Sequence, residues 1–155
     1  MRINKVSYKD QIFHDYSVII DVRTPSEFRD DHIPNSINYP VLSNQKRHEI
    51  GISYKENSFL AKKNGAELIS FNISKIIKKI KFDKKDKVLI YCWRGGLRSL
   101  SLYLVLKQIG YDVYLLDGGY KSFRKRVVEY LDKEAPKFKF NQIMGITGVG
   151  KTLFL

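Results

Sequence analysis

The sequence predicts an α/β fold, a parallel sheet with helices on both faces. Three observations carry this. Residues 88–92 open on a short, continuous apolar run, the pattern of a strand buried on both sides in a parallel sheet, and 18–22 and 113–116 are further strand-like runs. They alternate with segments of helical apolar spacing, 99–109 and 120–131, as strand-helix units require. Three residues suited to chemistry, Asp21, Cys92 and Asp117, fall at or near the C-terminal ends of the runs, where open parallel sheets hold their ligands.

In chain order, a short leading segment ends near Lys9 and the strand Val-Ile-Ile-Asp-Val follows at 18–22. Residues 43–80 read as a polar, mostly helical excursion containing Gly51 and an Asn64-Gly65 turn signal. After the strand at 88–92, the helix at 99–109 stops at Gly110, a glycine stop signal. The strand at 113–116 runs into Gly118-Gly119, and a basic helix follows at 120–131. No internal repeat interrupts this order.

Beyond residue 131 the character changes. Residues 132–137, with Ala135-Pro136, read as a linker, and 138–144 as strand-like. Gly145 to Thr152 spell Gly-Ile-Thr-Gly-Val-Gly-Lys-Thr, a Gly-x4-Gly-Lys-Thr P-loop. Its Gly145, Gly150, Lys151 and Thr152 are nucleotide-binding candidates, since such loops hold phosphates and magnesium when a helix follows. The sequence stops at Leu155, without that helix or a second acidic motif. The expected division is therefore one domain over 1–132 and, over 133–155, a linker with the truncated start of a P-loop domain. A truncated gene, an interrupted frame, or a split gene with a separately encoded P-loop half would all give this sequence.

The most informative stretch is Tyr91-Cys92-Trp93-Arg94-Gly95-Gly96-Leu97-Arg98-Ser99. It places the single cysteine on a strand-loop-helix turn. Gly95 and Gly96 allow successive backbone N–H groups to face inward, and the helix start adds free donors and a positive dipole end. Arg94 and Arg98 add charge, and a guanidinium can fork onto an oxyanion. Surroundings of this kind lower a cysteine pKa from its free value of about 8.5 and favour the nucleophilic thiolate. A buried free cysteine is more commonly inert; this loop argues for the reactive case.

Cys92 and Arg98 enclose five residues. Ordinary sulfurtransferases of the rhodanese type commonly have a loop one residue shorter, whereas cysteine-dependent phosphatases have the longer one, so both chemistries stay open on loop length. Elsewhere, the Asp21-Val22-Arg23 strand end and the His32-Ile33-Pro34 turn resemble the first rhodanese signature. With Pro40-Val41-Leu42, Glu49-Ile50-Gly51, Tyr54-Lys55, the Cys92-Trp93-Arg94-Gly95-Gly96 block and Gly118-Gly119-Tyr120-Lys121, nearly the whole chain resembles the tRNA 2-selenouridine synthase family, which joins a rhodanese domain to a P-loop domain. Asn35-Ser36 departs from the usual Gly-Ala; asparagine is the next best residue for a left-handed conformation.

The resemblance implies a rhodanese-like parallel sheet and a transferase. In the implied reaction selenophosphate delivers selenium, Cys92 carries it as a selenosulfide, and it replaces the sulfur of 2-thiouridine at the tRNA wobble position through a geranylated intermediate. Selenophosphate and geranyl diphosphate are the family co-substrates, with no cofactor required by the rhodanese domain; geranyl transfer belongs to the P-loop half. Cys92 would be the nucleophile. Arg94, Arg98 and the loop from Trp93 through Gly95, Gly96 and Leu97 would hold the phosphoryl group. Trp93 either stacks on the target base or packs in the core. Asp21 and Arg23 would brace the active loop, and His32 would stabilise a turn rather than serve as an acid.

Composition agrees with a soluble domain: 43% hydrophobic and 28% charged residues in a chain of 155 suffice for one core. No apolar stretch approaches the ~18 residues of a membrane span, and no signal pattern opens the chain. One cysteine cannot form an internal disulfide, three scattered histidines give no metal-ligand spacing, and the cytoplasm is the expected compartment. The 28 Lys plus Arg against 16 Asp plus Glu give +12, with a pI near 9.7, which suits a polyanion. Lysines crowd residues 75–87, and Lys121, Arg124, Lys125 and Arg126 form a second basic group. The expected partner is tRNA, bound by shape and phosphate. A general sulfurtransferase, a cysteine phosphatase weakened by Tyr91 where histidine usually precedes the cysteine, and an inactive RNA-binding remnant are the alternatives.

Overall fold

The computed structural model describes residues 3–7, 12–139 and 144–147. Gly150, Lys151, Thr152 and most of the strand expected over 138–144 lie outside the described residues; Gly145 lies within them and is exposed, in no regular element.

Among the described residues five strands form one parallel sheet: β1 (Lys5–Val6), β2 (Val18–Asp21), β3 (Ser36–Asn38), β4 (Lys87–Tyr91) and β5 (Asp112–Leu116), in the order β1-β5-β4-β2-β3. The helices are α1 (Pro25–Asp30), α2 (Asn44–Glu56), α3 (Ser58–Lys79), α4 (Leu97–Ile109) and α5 (Gly119–Glu134), with short 3-10 turns at Ile12–Asp15 and Ala135–Lys137. Strand alternation sorts the side chains to two faces. Ile20, Val22, Val88, Ile90, Val113 and Leu115 pack with α3 (Ile69, Ile73, Ile76) and α4 (Leu102, Tyr103, Leu106). On the other face Ile19, Leu89, Tyr91 and Leu116 pack with Tyr120 and Phe123 of α5 and with Ile33.

From β2 the chain steps outward to β3, then crosses back to β4 and on to β5. The direction of winding reverses between β2 and β4, and crevices for ligands form at such a switch. The sheet therefore brings the residues following β2, Val22 and Arg23, next to Cys92, which follows β4; Val22 N donates to Tyr91 O at 3.1 Å.

Local chemistry sets the boundaries. Thr24 caps α1 in a capping box with Glu27, with Pro25 in the first turn. Gly110 ends α4 in the left-handed conformation at φ 107°. Asn35 adopts φ 62°, the conformation expected of it. One expectation is corrected here. The turn signal at Asn64-Gly65 lies inside α3; the break comes at Asn57, whose side chain accepts from Leu60 N at 3.0 Å and caps α3. Gly65 is buried there because Ile50 of α2 packs over it, 3.6 Å from where a Cβ would stand. The stretch at 132–137 is helical: α5 runs to Glu134, and Pro136, which lacks an N–H, is accommodated in the 3-10 turn that closes it.

The Gly65 geometry sets an expected outcome. Gly65→Ala places its Cβ at ordinary contact distance and removes a mid-helix glycine, so urea unfolding should show a gain of roughly 0.5–1 kcal/mol. Gly65→Leu should instead separate α2 from α3 and cost about 1–3 kcal/mol.

Candidate active site

Cys92 is the first residue past β4, and its side chain is 3% exposed, on the α4 face of the sheet. Its Sγ accepts from the Gly96 amide at 3.2 Å and from the Ser99 hydroxyl at 3.2 Å. The loop from Trp93 to Gly96 arches over the start of α4, whose first backbone donors have no intrahelical partner. The sulfur thus lies at the N-terminal end of α4, facing a backbone amide and a hydroxyl.

The loop is held from outside by the turn between β5 and α5. Tyr120 N donates to Cys92 O at 2.8 Å and Lys121 N to Trp93 O at 3.0 Å. A Cβ on Gly119 would overlap the Cys92 carbonyl oxygen and stand 2.7 Å from Gly95 N, and Gly119 has φ 58°. Gly95 has φ 68°, with its own Cβ position 3.1 Å from Leu116 O. Both are positions only glycine fits. Gly96 differs from the expectation that it bends the loop. It has φ −91° and open space around it, and serves as the N-cap of α4.

The arginines divide into three environments. Arg94 is exposed. Arg98 pairs with Glu27 of α1 at 2.9 Å, and Glu27 also accepts from Thr24 N at 3.0 Å. Burial alone would raise the Glu27 carboxyl, but the Arg98 hydrogen bond and charge and the Thr24 donors outweigh it and hold the group below its ordinary value. Arg23 is buried and forks onto Asp21, Nε at 2.9 Å and Nη2 at 2.7 Å from Oδ2. Burial would lower its pKa, yet the bonds and charge of Asp21 raise it. Its Nη2 also donates to Asp31 O at 2.7 Å, and its guanidinium lies 3.9 Å from the Tyr120 ring centroid, with Trp93 and Tyr91 at 6.0 and 5.6 Å. Asp21 and Arg23 thus sit in an aromatic enclosure beside the loop, bonded to each other rather than to its backbone.

Tyr91, in the place of a histidine, donates no proton to the cysteine site: its hydroxyl accepts from Ile33 N at 3.1 Å and bonds Ser36 Oγ at 3.0 Å. Burial and Asp21 push its pKa up. Burial and a hydrogen bond to Asp31 push Tyr120 up to about 12. The His32 ring stacks on Phe28 at 3.9 Å, and its Nδ1 lies 2.8 Å from Phe28 O.

Beside the loop opens a cleft of about 390 Å³ whose walls include Trp93, Arg98, Tyr120, Arg124 of α5 and Arg47 of α2, with Glu27, Asp30 and Asp31. The half-buried Trp93 meets Tyr120 at 5.4 Å between ring centroids. Sequence reasoning missed Arg47, Tyr120 and Arg124 as wall residues and Ser99 as a donor to the sulfur; position 99, one past Arg98 on a new helix, was the available signal for the last. The two basic groups part company. Lys121 and Arg124 start α5 at the cysteine end of the sheet, whereas residues 75–87 lie at the far end, where β4 begins. Strand geometry separates them from Cys92 by about 16 Å. No helix among the described residues is long and apolar enough to cross a membrane.

Comparison with known proteins agrees with this architecture. The family model described as Rhodanese-like domain matches residues 6–126. A tRNA 2-selenouridine synthase of Shewanella halifaxensis is 37% identical over all of this chain and 44% of its own length; one from Sulfurovum sp. is 36% identical over 88% of this chain and 39% of its length. The chain therefore spans less than half the length of these curated relatives. Among solved structures, an N-terminal domain from Clostridium difficile 630, of a protein described as ATP/GTP binding, superposes with TM-score 0.71 at 33% identity, covering 81% of this chain and 99% of that one. Reduced Bacillus anthracis CoADR-RHD, at TM-score 0.55 and 21% identity, covers 82% of this chain and 17% of that one, and shares the fold.

Two outcomes follow from the site. Gly119→Ala should destabilise the protein by roughly 2–4 kcal/mol in chemical denaturation and slow alkylation of Cys92, while Gly96→Ala leaves stability unchanged. Glu27, ionised below the ordinary carboxylate value of about 4.3, contributes stability above that pH and loses it as pH falls through its lower folded value. The melting-temperature gap between wild type and Glu27→Gln should therefore be widest at neutral pH and close on acidification; a gap independent of pH contradicts the pairing.

Proposed function

Because the chain belongs to the rhodanese-like domain family, we propose that it is the chalcogen-transfer module of a tRNA 2-selenouridine synthase, with Cys92 carrying the transferred atom. The observation that carries this reading is the pair of donors on Cys92 Sγ at the C-terminal end of a central strand. The names of the relatives support tRNA as the acceptor; in this reading the atom replaced is the sulfur of 2-thiouridine at the wobble position. In the transfer, the Cys92 thiolate attacks the chalcogen of a donor, and the donor's bond to that atom breaks. Thiosulfate would leave as sulfite with the bonding electron pair. Selenophosphate holds selenium at the selenide level, so forming a selenosulfide from it with release of phosphate calls for a two-electron acceptor such as a disulfide. Beyond such co-reactants the transfer needs no cofactor.

The cleft supplies a place for the acceptor nucleotide. The half-buried Trp93, backed by the buried Tyr120 ring, offers an aromatic face for a splayed base, and the exposed Arg124, Arg47, Arg94 and Lys121 offer charge to flanking phosphates. Arg98 and the loop amides would hold the donor's anionic group, Arg98 by exchanging Glu27 for it. Asp21 and Arg23 would support the wall on which Trp93 and Tyr120 rest. The P-loop residues Gly145, Gly150, Lys151 and Thr152 and the geranyl-transfer step belong, in this reading, to a nucleotide-binding unit outside the rhodanese fold, in the same or a separate polypeptide. A reduced thiolate suits the cytoplasm.

The test is intact-protein mass spectrometry after incubation with thiosulfate, or with selenophosphate plus a small disulfide, with Cys92→Ser as control. A selenium adduct, recognised by its isotope pattern and absent from the variant, is the expected result. A sulfur adduct alone would support the general sulfurtransferase instead, and a phosphoryl adduct, close in mass to selenium but without its isotope pattern, would support the phosphatase chemistry that the five-residue loop also permits.

A further inference from the structure

Ser99 stands on the first turn of α4, fully buried, with its Oγ 3.2 Å from Cys92 Sγ and 3.1 Å from the Gly96 carbonyl oxygen. A hydroxyl has one proton to donate, so it serves one of these acceptors at a time. The Gly96 amide, 3.2 Å from the same sulfur, is the fixed second donor.

We propose that Ser99 is a positioning residue for the cysteine chemistry, donating to Sγ while the sulfur is anionic and turning to the Gly96 carbonyl once the sulfur bears a transferred atom. The physical reason is the strength of the acceptor. A hydrogen bond to a charged group is about twice as strong as a neutral one, so the thiolate outcompetes the carbonyl. When thiosulfate reacts, the Cys92 electron pair forms the bond to its outer sulfur, the thiosulfate S–S bond breaks, and sulfite departs with that pair. The negative charge now resides on the outer sulfur, and Sγ becomes the weaker acceptor. In the return step with cyanide, the outer sulfur leaves as thiocyanate and the bonding pair returns to Sγ. Ser99 then faces the atom that gains charge, so it stabilises the leaving group. The role in transfer rests on the reading proposed above; the role toward the thiolate does not.

The charged groups around Cys92 stay constant across the variants that test this: the Asp21–Arg23 pair after β2, Glu27 of α1 with Arg98 of α4, and Arg94 of the loop. The pH–rate profile for alkylation of Cys92 by iodoacetamide should move up by roughly one pH unit in Ser99→Ala, the size of one hydrogen bond to an anion. Ser99→Thr, which keeps the hydroxyl, should hold the wild-type profile. So should Ser101→Ala, which removes an exposed hydroxyl bonded to Leu97 O on the same helix. With thiosulfate and cyanide, Ser99→Ala should lower kcat about tenfold and leave KM for thiosulfate within about twofold, as expected of a group acting on the thiolate and not on donor binding. A wild-type alkylation profile in Ser99→Ala, or equal shifts in Ser99→Ala and Ser99→Thr, overturns the proposal. Absence of thiocyanate from the wild type would count against the transfer reading alone, since alkylation decides the role of Ser99 without any donor.

Discussion

The carbonyl of Cys92 accepts from Tyr120 N, with Gly119 pressed against it where no side chain fits. This contact fixes the end of the central strand to the start of α5. The next carbonyl, of Trp93, is fixed in the same way by Lys121 N. With its outer edge held, the loop can turn inward only toward α4, and that turn directs the Gly96 amide and the Ser99 hydroxyl at the sulfur. The hydrogen bonding around the sulfur thus depends on a turn between two other elements. It also depends on the sheet, because β4 and β5 must be neighbours for the turn to reach Cys92.

Electrostatics are arranged in layers around that loop. The innermost is neutral hydrogen bonding from α4. Next come two ion pairs that keep positive charge nearby without leaving it unpaired, Arg98 with Glu27 and Arg23 with Asp21. The second is buried and forked, where removing either partner would strand a charge. The outermost layer is exposed arginine and lysine on the loop, α2 and the start of α5. A polyanion approaching the cysteine end of the sheet meets these groups. The lysine-rich far end shares the same sign and is positioned for long-range attraction more than for contact at the cleft. Net charge by itself did not separate the two.

The legibility of this protein in its sequence was uneven for physical reasons. The strands at 18–22, 88–92 and 113–116 were readable because short, largely apolar runs have one economical home, a sheet covered on both faces. The glycine stop at Gly110 and the left-handed Asn35 were readable because backbone conformation there is a local property. The Asn64-Gly65 signal misled, because a local turn preference was overridden by the packing of Ile50 against a helix that needed a small residue. Gly96 misled in a milder way: of two adjacent glycines, the fold placed only Gly95 at a positive φ.

What the sequence alone determined is the setting of the cysteine: one such residue, after an apolar strand, before a glycine-rich turn and a helix. These are near neighbours in the chain, and short-range backbone preferences suffice to place them. The tertiary structure decided the rest. It chose Glu27 for Arg98, Gly119 for the Cys92 carbonyl, and Arg47, Tyr120 and Arg124 for the cleft beside Trp93. Each of these joins residues distant in sequence through the register of the sheet and the packing of its helices, and no local pattern encodes such contacts, since they exist only once the two faces of the sheet have been covered.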